Sequence, residues 1–321
     1  MKATGFTAGA LALALAASSA LAQNWPVKPV TVVVPTTAGS GMDVIVRFLA
    51  DGLKNRTGQP FVVENRAGAD ASIGSQAVAR AAPDGYTVLV GAASTHGINP
   101  YFYKNLGYDP VKDFQPVTTL WAIGLVLLTN PKTVPANSVA ELTAYLKAHP
   151  GQLSYASGNA FGRMTAEWYK QRAGFDAVHV PYKGVPQALN DLMGGQVHFM
   201  FADATAGLRA AEAGRVRALA VTGPHRVPSA PDVPTMEEAG LSGFVSYSWV
   251  ALFFPAHTQI EIARKLADLT NAVMTSDAGR QYLRKSGADT FPGSPEGLHK
   301  LVVDELAKWG QVAKQARIQP E

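Results

Sequence analysis

From Val30 onward, short runs of Val, Ile and Leu alternate with longer stretches whose apolar residues recur every three or four positions. The short runs read as buried strands and the longer ones as amphipathic helices. Their alternation predicts an α/β fold, an open and largely parallel sheet with helices on its faces. Strands are expected at Val30 to Val34, Phe61 to Glu64 and Tyr86 to Val90. Between them lie a helix carrying Ile45, Phe48, Leu49 and Leu53 on one face and stopping near Gly58, and a small-residue helix from Ser72 to Ala81.

A long apolar strand, Val117 to Leu128, follows, and the pattern restarts at the capping box Ser138-x-x-Glu141. Strands at Leu153 to Ala156, Ala177 to Pro181, Val197 to Phe201 and Val216 to Val221 then alternate with helices. After a proline-rich loop and a second capping box, Thr235-x-x-Glu238, the run Tyr247 to Phe254 reads as a return crossing. Two helices close the chain, one from Thr258 and one from Ser294-Pro295. The expected organisation is two lobes, residues 23–124 with 247–321 and residues 125–246, joined by two crossing strands around a ligand cleft.

Met1-Lys2, the apolar run Gly9 to Ala17 and Ala20-Leu21-Ala22 before Gln23 form a signal-peptide pattern, with cleavage expected after Ala22 and a periplasm-like destination. The run is shorter than the roughly 20 apolar residues of a membrane span. The chain contains no cysteine, so thiolate metal sites, thiol nucleophiles and disulfides are excluded. Only 16% of residues are charged against about 25% in ordinary domains, while 47% are hydrophobic, which excludes a disordered or coiled-coil chain. The net charge of +4 is scattered, without basic and aromatic interleaving, so no nucleic-acid partner is expected.

Loops at the carboxyl ends of parallel strands face the crevice of an open sheet. Four matter here: Thr36 to Asp43, Ala92 to Asn99, Ser157 to Arg163, and Tyr182 to Gly184 with Ala202 to Thr205. In the first, Thr36, Thr37, Ala38, Gly39, Ser40 and Gly41 lead to Asp43 at a helix start, where free amides and the helix dipole suit an anion. Val44 stands where a dinucleotide fingerprint has its third glycine, and there is no Gly-Lys-Ser/Thr. The third loop repeats the arrangement and adds Arg163, whose guanidinium opposes the helix dipole unless it serves a carboxylate. A capping Asp43 and a solvated Arg163 are the alternatives. The histidines are dispersed, so neither a metal nor another cofactor is expected.

The motifs themselves resemble a family. Trp25-Pro26-x-Lys28-Pro29, Gly39-x-Gly41-x-Asp43, Val63-Glu64-Asn65-Arg66-x-Gly68-Ala69, Ala82-Pro83-Asp84-Gly85-Tyr86 and Thr95-His96-x-Ile98-Asn99-Pro100 resemble the Bug-type receptors of the tripartite tricarboxylate transporter family. Pro150-Gly151-Gln152-Leu153-x-Tyr155-Ala156-Ser157 and Val178-His179-Val180-Pro181-Tyr182-Lys183-Gly184 extend the likeness along the mature chain. The resemblance implies a periplasmic-binding-protein fold of type II, the Venus-flytrap arrangement, and a non-enzymatic receptor that hands a small organic acid to integral-membrane transporter subunits. The acid is a mono-, di- or tricarboxylate, aromatic ones included, and the receptor a monomer. The implied contacts are Thr36 to Gly41, Asp43, Ser94, Thr95, His96, Ser157 and Asn159, with Phe161, Arg163, Tyr182, Lys183 and Asp203 as further candidates.

The sequence departs from the family pattern at Gly39-Ser40-Gly41, at Gly68-Ala69-Asp70-Ala71-Ser72, at Phe161-Gly162-Arg163-Met164 and at Phe201-Ala202-Asp203, where a ligand's distal part would lie. Two rival functions remain open. One is a periplasmic hydrolase or isomerase using Ser94 and His96 with Asp43 or Asp203; the other is an adaptor for a two-component sensor.

Overall fold

The runs of β-branched residues form the strands at the centre of a computed structural model, which describes residues 25–285 and 288–320. The expected signal peptide lies outside the described residues. Strands β1 (Val30–Val34), β2 (Phe61–Asn65) and β3 (Thr87–Ala92) are parallel, followed in turn by helix α1 (Gly41–Thr57), helix α2 (Ser72–Ala79) and a π-helical turn at Ser94–Ile98. Strand β4 (Phe114–Thr129) runs in the same direction as these three, from which it is separated by an antiparallel strand, and is longer than its apolar run suggests. Beyond it come α3 (Val139–Ala148), β5 (Ser154–Ser157), α4 (Ala160–Ala173), β6 (Val178–Pro181), α5 (Val185–Gly194), β7 (Phe199–Asp203), α6 (Ala204–Glu212) and β8 (Arg217–Val221). The chain then enters β9 (Tyr247–Pro255), α7 (Ile260–Met274), α8 (Asp277–Lys285), the short β10 (Asp289–Thr290) and α9 (Pro295–Gln315).

The sheet path is β2-β1-β3-β9-β4-β7-β5-β6, with β8 and β10 also paired to β4. Residues 114–124 of β4 pair with β9, and residues 125–129 pair with β7 and β8. One strand therefore belongs to two sheets. Alternation within β1 sends Val32 and Val34 to a core with α1 and α7, and Val33 to a second core beneath both sheets. That second core includes Trp309 of α9, Phe161 and Trp168 of α4, and Phe253 of β9. A third core joins Ala156 and Met200 to α5 and α6. The Thr235 box closes reciprocally, Thr235 Oγ1 accepting from Glu238 N at 3.1 Å and the Glu238 carboxylate from Thr235 N at 2.7 Å; Ser138 Oγ accepts from Glu141 N at 3.1 Å, but the Glu141 carboxylate accepts from Asn137 N at 2.8 Å.

Candidate functional site

Strand register sets two rows of carboxyl ends against each other. Ala92, the last residue of β3, pairs with Val250, which pairs with Trp121 of β4. Asp203, the last residue of β7, pairs with Leu125 of β4 from the opposite direction. Four strand residues separate the two levels, about 13 Å at roughly 3.3 Å per residue. Half-buried Ala122, Ile123 and Gly124 of β4, with Tyr247 and Ser248 of β9, form the floor. The loops after β1, β5, β6 and β7 leave the carboxyl ends of these two parallel rows.

The loop after β1 is pinned from within. Ser40 caps α1, accepting from Asp43 N at 3.2 Å and sharing a hydrogen bond with Thr36 Oγ1 at 2.8 Å. The Asp43 carboxylate, 2% exposed, accepts from Gly39 N at 2.8 Å, Asn65 Nδ2 at 2.9 Å and Arg47 Nε at 3.0 Å. Arg47 foremost, aided by Gly39 and Asn65 and opposed by burial, holds its pKa at about 2. Asp43 is thus an internal brace, and Thr37, Ala38, Gly39 and Gly41 are exposed around it. The Gly41 and Met42 amides begin the helix and have no intrahelical acceptor. Gly39 adopts φ +79°, which favours glycine. Sequence reasoning missed the bracing pair Arg47 and Asn65, although the i,i+4 spacing of Asp43 and Arg47 signals the first.

Across the gap, Asn159 caps α4 by accepting from Gly162 N at 2.7 Å, and Ser157 Oγ lies 2.7 Å from His179 Nε2. Burial, then the Arg163 and Lys170 charges, lowers the His179 pKa to about 4, so its ring is neutral near pH 7. A Cβ on Gly158 would collide with the backbone of Gly184 and Val185, so glycine brings the starts of α4 and α5 together. Arg163 is partly buried, with its guanidinium 5.2 Å from the Phe102 ring centre. Its Nε is buried without a hydrogen-bond partner, and among the described residues no carboxylate lies within 4.0 Å of it. Asp203 is partly buried at the start of α6, and burial raises its pKa. Lys183 is exposed.

Several expected positions do not reach the gap. His96 is fully buried, stacked on Phe253 at 3.9 Å between ring centres, and its Nδ1 bonds Thr95 Oγ1 at 2.8 Å. Burial lowers its pKa to about 3. Thr95 is fully buried too, its hydroxyl closing a turn with Ala92. Neither side chain meets solvent, and Ser94 and His96 do not form the nucleophile and base pair of the hydrolase reading. Phe161 is packed against Trp309 in the central core rather than facing the gap. Tyr182 donates its hydroxyl to Asp191 at 2.8 Å and so secures α5. Among the described residues, no group of three or more His, Cys, Asp or Glu could hold a metal ion, and no helix is long and apolar enough to cross a membrane.

A model of the tripartite tricarboxylate transporter family receptor matches residues 45–318. The chain belongs to this family. It is 34% identical to BugT of Bordetella pertussis, over 95% of this chain and 94% of that protein. The R. palustris protein Rpa4515, solved with adipate, is 37% identical with a TM-score of 0.78, over 92% of this chain and 100% of that one. MatC of Rhodopseudomonas palustris, solved with malate, is 33% identical with a TM-score of 0.73, over 90% and 100%. The fold is accordingly the two-lobed periplasmic solute-binding fold, one sheet per lobe, with β4 and β9 at the join.

Proposed function

We propose that this receptor captures a small organic carboxylate in the periplasm, between lobes divided at 124/125 and 246/247, and delivers it to its membrane permease. The observation that carries the reading is the opposition of the carboxyl ends of β3 and β7 across β4, with α1 starting after β1 and α4 after β5, the parallel neighbours of those two strands. In this reading the loop Thr36 to Gly41 offers amides and hydroxyls from one side, held in shape by Asp43. Ser157, Asn159 and Arg163 approach from the other, and Lys183 adds positive charge at the rim. Arg163 is a cation without a carboxylate of its own, placed in the first turn of α4 where the dipole disfavours it. An acidic ligand removes that mismatch. Asp203, with its raised pKa, can donate to a ligand oxygen when protonated or accept from a ligand hydroxyl when ionised. Contacts made only when both lobes touch the ligand favour the closed form.

Thermal shift over mono-, di- and tricarboxylates, with adipate and malate included, tests this directly. Saturating ligand at 100 times its Kd stabilises by about 2.7 kcal/mol. The expected result is a concentration-dependent rise in melting temperature with at least one acid, which is recovered unchanged. No shift with any acid, or turnover of the ligand, contradicts the reading.

A further inference from the structure

We propose that Thr222 is the pivot of lobe closure, a positioning residue whose hydroxyl clasps both segments joining the lobes. The chain passes between the two sheets at two places. Gly124 is the last β4 residue paired with β9, and Leu125 is the first paired with β7. The return lies between Ser246 and Tyr247, where β9 begins.

Thr222 follows β8 and bonds both places at once. Its N–H donates to Leu125 O at 2.8 Å, and its hydroxyl accepts from Leu125 N at 2.9 Å. Its carbonyl accepts from Ser246 N at 2.8 Å, and the same hydroxyl donates to Ser246 O. Thr222 and Ser246 are fully buried, and Ser246 Oγ reaches Thr165 Oγ1 of α4 at 3.2 Å. Water cannot replace these bonds in place, and losing the hydroxyl strands the Leu125 amide and the Ser246 carbonyl. The backbone beside the clasp is slender: a Cβ on Gly124 would sit 3.2 Å from Gly223 N. Rotation is absorbed at a few such residues, while packed sheets move as bodies. A second contact between the lobes is Trp309 against Phe161 and Trp168, with ring centres 5.9 Å apart in each pair.

The pivot matters because of the receptor reading, but its test needs no ligand, so the two fail separately. The chain has no cysteine, and Val62 and Val178, each 52% exposed on the terminal strands β2 and β6, become a dye pair through Val62→Cys and Val178→Cys. Single-molecule energy transfer on ligand-free protein then reads the interlobe distance. Thr222→Val is expected to broaden or displace the distance distribution, and Thr222→Ser, which keeps the hydroxyl, to restore it. A lowered melting temperature with an unchanged distribution would reduce Thr222 to a packing role and overturn the proposal. Should Thr222→Val fail to fold, Gly124→Ala decides: crowding Gly223, it is expected to displace the distribution, and a wild-type distribution there overturns the proposal as well.

Discussion

Replacing Asp43 with asparagine tests whether the anion loop is held by a buried carboxylate. The side chain keeps its size, and an amide oxygen can still accept from Gly39 N, but the charge opposite Arg47 is lost. The Asp43 pKa falls from 3.8 to about 2 in the fold. At 1.36 kcal/mol per unit, that shift makes the ionised carboxylate worth about 2 kcal/mol of stability near neutral pH. Because the folded pKa is the lower one, the contribution is complete above pH 3.8 and disappears as the pH falls through about 2. Urea unfolding of wild type and Asp43→Asn should differ by about 2 kcal/mol at pH 7 and pH 5, and by about half that at pH 3. In a thermal scan at pH 7 the same difference is about 4 °C. Equal stabilities at pH 7, or a gap that does not narrow on acidification, would refute the brace.

Arg163→Ala should weaken an acidic ligand by about 1.5 to 3 kcal/mol in titration calorimetry, the scale of a charged hydrogen bond; unchanged affinity removes Arg163 from the site. Gly158→Ala pushes a methyl into the Gly184–Val185 backbone and should cost about 3 kcal/mol in urea unfolding, whereas an unaffected variant would show that α4 and α5 do not meet as described. His96 has a folded pKa near 3, below its unfolded value, so only the unfolded chain gains its proton between about pH 6.5 and 3 and stability declines on acidification. His96→Phe preserves the stack on Phe253 and should flatten that decline by about 1.4 kcal/mol per pH unit between pH 6 and 4; equal slopes would show that His96 is not buried neutral.

The sheet and its helix starts were legible because their signals are local. Alternating apolar runs marked β1, β3, β5 and β7, and Ser138 with Glu141 and Thr235 with Glu238 announced their own caps. Direction was not legible. Thr95, His96 and Phe161 lie on cleft-facing segments, yet their side chains turn inward because Phe253 and Trp309, distant in sequence, supply aromatic faces there. Tyr182 likewise spends its hydroxyl on Asp191, a helix position that nothing in the loop reveals. Helix α8 and strand β10 were not anticipated, α8 because it is short and mostly polar and β10 because it is only two residues long. The link between Thr222 and Ser246 has no local signal, since only the tertiary pairing of β4 with both sheets brings them together.

The central claim is that an acid is held between lobes that close on it, and the Val62→Cys, Val178→Cys dye pair reads this most directly. Titrating it with whichever carboxylate raises the melting temperature should shift the interlobe distance to a new, narrower value, with the same midpoint as the calorimetric titration. A carboxylate that binds by calorimetry while the distance distribution stays in place would contradict the account.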